Sequence, residues 1–139
     1  PPEMPFGAYV NVVAHDDPEV GRRLGEGGLS LFARFSAMHG TAVGPTTDEE
    51  RRVMEGIRDA YDMTRHSRTG SAQAAVLTPE FADQFGIFGP PAYCIERLQE
   101  LIALGLDRLV VVRPSAGADP EEAMRAEKRF EEEVLPALR

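Results

Sequence analysis

The 139-residue sequence has a single cysteine, Cys94, so no internal disulfide holds it together. It has no long apolar run and no basic segment leading into an apolar stretch. A membrane span and a secretory signal are therefore not expected, and the chain reads as cytoplasmic. Positive charge is scarce: 15 Lys and Arg stand against 23 Asp and Glu, a formal net charge of −8. That balance argues against a nucleic-acid partner, because neutralising phosphates needs a basic face. It leaves room for a small anionic ligand, since a few arginines close together outweigh acidic surface further away. No repeat of fixed period and no low-complexity segment is present. No third ligand stands at a metal-site spacing beside Asp62 and His66, so no metal is expected. The start, Pro1-Pro2-Glu3, lacks a methionine, which suggests a piece of something longer or a trimmed form.

What is present is ordinary for one globular domain: 42% hydrophobic and 27% charged residues, enough for a real core. Ala8 to Ala14 (AYVNVVA) is almost continuously apolar, as a strand covered on both faces would be. Asp17-Pro18 supplies an N-cap and a first-turn proline for a helix running to about Phe35. Gly21, Gly25, Gly27 and Gly28 weaken that helix, each by up to about 1 kcal/mol. They are not a P-loop, because no Lys-Ser/Thr follows. A glycine-containing loop over 38–46 carries His39. Thr47-Asp48-Glu49-Glu50 is a capping box, and the helix it opens is expected to end near His66, with Arg65, His66 and Arg68 at its C-terminal end. Asp62 and His66 would then meet on one face. Thr78-Pro79-Glu80 opens a short helical turn. Phe85 to Phe88 is a short strand ending in Gly89-Pro90-Pro91. An amphipathic helix with Ile95, Leu98, Leu101 and Ile102 follows, stopped by Gly105. Leu106 to Val112 is the clearest strand. Asp119-Pro120-Glu121-Glu122 caps a last helix reaching about Leu138. Strands alternating with helices predict an α/β chain with a parallel sheet.

Two stretches, FGIFGPPAYCIERLQELIALGLDRLVVV (85–112) and the ending FEEEVLPALR, together with YDMTRHSRTGSAQ (61–73), resemble the luciferase-like oxidoreductases, including those that use coenzyme F420. The resemblance implies that residues 1–139 are one partial domain, the last βα units of a (β/α)₈ TIM barrel, a fold that needs about 250 residues in full. It also implies an enzyme using coenzyme F420 or FMN for hydride transfer or monooxygenation of a small organic substrate. The sequence departs from the family's pattern in having Gly-Pro-Pro where Gly-Thr-Pro occurs. A second expectation, from another class, is a non-catalytic half-barrel serving as a structural or dimerisation domain. Its open sheet would pair with another copy, or with the missing N-terminal half.

In a barrel the chemistry lies at the C-terminal ends of the strands. That rule singles out His15 after the first strand, Gly89 after the second and Arg113 after the third. Arg113 can hold a phosphate or carboxylate bidentately, or bridge to an acidic neighbour. Gly89 stands at a helix N-terminus, an anion-binding position, yet Pro90 and Pro91 remove two donors. His15 faces a cofactor or accompanies the Asp16-Asp17 cap. His39 and His66 are general acids or phosphate contacts, or helix-end residues. Arg65 and Arg68 join Arg113 and His39 as expected contacts to cofactor phosphate or anionic substrate. Cys94 is a thiolate stabilised by its helix or, alternatively, a buried structural residue.

Overall fold

The computed structural model describes residues 4–138. The elements are β1 (Gly7–Ala14), α1 (Pro18–Phe35), α2 (Asp48–Ala60), α3 (Pro79–Phe85), β2 (Ile87–Gly89), α4 (Pro91–Ala103), β3 (Arg108–Val112) and α5 (Pro120–Arg129). Short 3₁₀ turns occupy Met63–Arg65 and Ala74–Val76, and α5 runs on through a wide turn, Phe130–Val134, into a 3₁₀ turn at Leu135–Leu138. Among the described residues, no helix is long and apolar enough to cross a membrane.

The helix starts lie where local polar side chains satisfy free backbone donors. Asp17 caps α1 by accepting from the Glu19 N–H at 2.9 Å. At α2 both arms of the capping box form: the Glu50 N–H donates to Thr47 Oγ1 at 3.1 Å, and the Thr47 N–H donates to the Glu50 carboxylate at 2.6 Å. Thr78 and Asp119 do the same for α3 and α5. Gly105, with φ +90°, follows the last residue of α4's cap in the left-handed conformation that glycine tolerates.

One helix end differs from expectation. α2 stops at Ala60 rather than near His66. Tyr61 leaves in extended backbone, and Asp62 caps a separate 3₁₀ turn by accepting from the Thr64 N–H at 2.8 Å. The fully buried Gln73 holds this break in place. It accepts from the Asp62 N–H at 3.1 Å and donates to the Arg65 carbonyl at 3.2 Å. Arg65, His66 and Arg68 therefore do not sit at a helix C-terminus. Asp62 and His66 do not pair either; their side chains bond Thr64 and Tyr61 respectively.

The three strands are parallel, in the order β2-β1-β3, with Ala14 opposite Gly89 and Asn11 opposite Val112. The final units of a barrel would place β2 between its sequence neighbours. Here β1 is central, and β3 lands beyond it. From Val10 to Ala14, β1 is buried on both faces. Val10, Val12 and Ala14 pack with Ile87, Cys94, Leu98, Phe130 and Val134 on one side. Val13 packs with Leu24, Leu29 and Phe88 on the other. The apolar run thus reflects helices on both faces of an open sheet.

α1 approaches this sheet through its glycines. A Cβ on Gly21 would stand 3.4 Å from Phe88 Cβ, one on Gly25 would overlap the Phe88 ring, and one on Gly28 would lie 2.9 Å from Asn11 Oδ1. Gly27 faces outward, where a Cβ would lie 2.5 Å from the Ser67 carbonyl oxygen and 2.7 Å from the Arg68 carbonyl carbon. Ala normally stabilises a helix interior relative to Gly by about 1 kcal/mol. Gly27→Ala should instead destabilise, by about 1–3 kcal/mol of overpacking against backbone that cannot yield like a side chain. Urea unfolding measures this; a more stable variant would show that the 66–70 loop does not rest on α1.

Candidate functional site

Parallel strands bring all three C-terminal ends to one rim, and the residues there are largely engaged with one another. After β1, His15 Nδ1 lies 3.0 Å from both the backbone nitrogen and the carbonyl oxygen of Asp17, and Nε2 lies 3.1 Å from the Glu122 carboxylate. Asp16 pairs with Arg129 at 2.8 Å. Glu122 lies on α5 and Arg129 ends it, so α5 crosses the end of β1. Its Ala126 accordingly joins the α1-side core, while Phe130 just beyond it joins the α4-side core. After β2, the Gly89 carbonyl accepts from the His15 N–H at 2.8 Å and from the Cys94 thiol at 3.4 Å. A side chain at Gly89 would press on the Tyr93 ring at 2.8 Å. After β3, Arg113 Nη1 lies 3.1 Å from Glu131 and 3.9 Å from Glu127. His15 and Gly89 are brought together; Arg113 stands on the other side of β1, in the ion pair that sequence reasoning offered as its alternative.

One part of the rim stays open. A cleft of about 510 Å³ lies beyond β2, lined by Asp17, Pro18, Glu19, Arg22, Asp83, Phe88, Gly89, Pro90 and Tyr93. Its one cation, Arg22, is clamped by both oxygens of Asp83 at 3.0 and 3.1 Å. The cleft adjoins a groove of about 330 Å³ that shares Glu19 and Arg22 and reaches Arg23, Glu26 and Leu77. With Asp17, Glu19 and Asp83 around a neutralised arginine, and prolines at the first positions of α4, the cleft does not fit a phosphate.

The remaining expected residues sit on the loop from Tyr61 to Gly70. This loop reaches the rim through the segment after β3: the Thr69 N–H donates to the Ala116 carbonyl at 3.0 Å. It also grips α1, where the Gly70 N–H donates to Glu26 at 2.7 Å. Arg65 donates only to the Thr69 carbonyl, at 3.5 Å. The Arg68 guanidinium lies over Gly117, with Nη2 3.1 Å from where a Cβ would be. Neither has a carboxylate partner among the described residues. His66 Nδ1 is 2.9 Å from the Tyr61 hydroxyl. His39 is exposed in the turn after α1, past the end of that helix away from the rim, and joins none of these groups.

Sequence reasoning gave Arg34, Gln73 and Arg129 no role, placed Tyr61 only at helical spacing in the second helix, and placed Glu122 only in a helix cap. The contacts these residues make in the site run across the fold, and no local spacing signals those contacts. Among the described residues, no group of three or more His, Cys, Asp or Glu is placed to hold a metal ion. No known family model matches the chain.

Cys94 is fully buried at the start of α4. Burial pushes its thiol up to about 11, outweighing the backbone and the distant Arg129 charge that favour the thiolate. It is therefore the structural residue of the two alternatives. In the native protein Cys94 should resist a thiol-specific disulfide reagent at neutral pH and react at once on unfolding. A fast native reaction would show that α4 does not seal it.

Proposed function

We propose that this chain is the carboxy-terminal portion of a luciferase-like oxidoreductase, in which the loop from Tyr61 to Gly70 binds the phosphate of FMN or coenzyme F420 at the strand-end rim. The reading draws on the sequence resemblance and on one observation. Arg65 and Arg68 lack carboxylate partners in an acidic chain, on a loop tied to the segment after β3. The fit extends to the phosphate only. Two guanidinium groups suit its oxygens, while the described residues offer no apolar slot for the ring system beside them. When bound, such a group supplies the redox chemistry and the protein supplies binding and orientation. The part assigned to this chain is the charge clamp, with Gln73 and the Gly27 contact holding the loop rigid. The rest of the ring site and a small organic substrate would belong to strands added at the free edge of β3. The order β2-β1-β3 differs from that of a barrel closed with these three strands in sequence.

A second reading, a dimerisation domain, is favoured by that same edge. Val110 is 41% exposed and Tyr9 is 65% exposed, stacked at 5.2 Å on Phe32. On the opposite face a groove of about 300 Å³ runs past Leu106, Leu109, Leu135 and Leu138. Unpaired strand edges with apolar flanks invite a second copy.

Titration with FMN and coenzyme F420, followed by fluorescence, tests the first reading. Arg65→Ala and Arg68→Ala should each weaken binding about tenfold or more, the scale of a lost charge-assisted hydrogen bond. Arg113→Ala should change it little. Binding of neither compound would end the proposal. For the second reading, light scattering should report a dimer that Val110→Lys dissociates; a monomer at every concentration would exclude it.

A further inference from the structure

Six arginines are half-buried among the described residues: Arg22, Arg34, Arg51, Arg58, Arg97 and Arg129. Five are paired with a carboxylate, respectively Asp83, Asp48, Asp59, Glu100 and Asp16, leaving Arg34 as the exception. Its Nε is buried with no hydrogen-bond partner, as is that of Arg51, whose charge Asp48 offsets; Arg34 has no such carboxylate. Its sole polar side-chain contact is Nη1 to Met63 Sδ at 3.8 Å, a weak acceptor. The guanidinium instead lies over the Tyr61 ring, 4.2 Å from its centroid. A partly desolvated cation with an unmet donor costs stability unless something supplies the missing acceptor.

The surroundings are donors too. The Tyr61 hydroxyl is 2.9 Å from His66 Nδ1. With the phenol donating to Nδ1, His66 carries its own proton on Nε2. The nearest acid in sequence, Asp62, is turned away onto the Thr64 N–H and hydroxyl at 2.8 and 2.6 Å. Ser67 has φ +52°, the one non-glycine residue with positive φ in the described chain. The conformation is held from one side by Gln73 and from the other by α1 at Gly27. Backbone of this kind persists only where its surroundings enforce it.

We infer that Arg34, Tyr61 and His66 form a binding site for a small oxyanion, a carboxylate or a phosphate group. Arg34 supplies the charge, and a small shift of its side chain brings the unmet Nε–H to the ligand. Tyr61 orients the guanidinium with its ring and the imidazole with its hydroxyl, and His66 supplies a second donor. The site does not depend on the cofactor proposal, since its central residue is neither Arg65 nor Arg68.

The test is titration of the isotopically labelled protein with inorganic phosphate in one arm and acetate in the other, reading side-chain NMR signals. A saturable shift at Arg34 Nε–H and the His66 ring is expected in at least one arm, and the stronger arm identifies the ligand class. Arg34→Gln should weaken binding about tenfold or more, and Tyr61→Phe, which keeps the ring, by a smaller factor. Arg23→Gln removes an exposed arginine elsewhere on α1 and should leave it unchanged. Should Arg34→Gln fail to fold, the unmodified protein and Tyr61→Phe still decide. No saturable shift at Arg34 in either arm, or an equal loss in Arg23→Gln, would overturn the inference. Failure of FMN and coenzyme F420 to bind while phosphate still shifts Arg34 would end the cofactor proposal and leave this one standing.

Discussion

The close seating of α1 on the sheet is the contact on which the rest of the molecule depends. Gly21, Gly25 and Gly28 leave no side chain between the helix backbone and Phe88, Val13 and Asn11. As isolated helix residues they are poor, each costing up to about 1 kcal/mol. In place they let Leu24 and Leu29 reach the core, where they are 3% and 0% exposed. Burying a leucine contributes about 1.5–3 kcal/mol, so tertiary packing wins over propensity. Gly27, on the outer side, does the same for a loop: it admits the Ser67 and Arg68 backbone. One helix therefore fixes both the central strand and the segment that carries the unpaired cations.

That arrangement determines what the strand ends can offer. With α1 on one face and α4 on the other, the chain after β3 crosses to α1, where the Ser115 N–H donates to the Leu24 carbonyl at 2.7 Å. It then returns over the end of β1 as α5. The crossing brings Glu122 to His15 and Arg129 to Asp16. Each pair is partly exposed and adds little stability by itself. Their effect is positional: charges that a rim site would need are already satisfied within the chain.

Local features were legible in the sequence because their causes are local. Asp17, Thr47, Thr78 and Asp119 cap helices using donors within three residues, and Gly105 ends α4 through its own backbone. The parallel sheet was legible from the alternation of strands and helices. Strand order was not, since a run such as Ala8 to Ala14 suits a barrel wall and a doubly covered sheet equally. The end of α2 was hidden because Gln73, 11 residues beyond Asp62, decides it. The state of Arg113 was hidden for a similar reason, its partner Glu131 being 18 residues away on a different element. Arg34 was least visible of all, since a basic residue in the last turn of a helix already has a sufficient local explanation in the helix dipole.

That local explanation is incomplete. The C-terminal carbonyls of α1 offset part of Arg34's charge, and the Tyr61 face adds cation–π attraction. Neither supplies an acceptor for Nε. In a chain of net charge −8, a carboxylate near Arg34 would cost little to place, and the other half-buried arginines have one. The nearest candidate, Asp62, is instead committed to capping the turn whose geometry sets Tyr61 and His66 around the guanidinium. The same cap that builds the cluster thus removes its internal counter-charge. An oxyanion from solution restores both the acceptor and the charge, and for that reason the loop, rather than the self-paired strand ends, is where this molecule is poised to bind one.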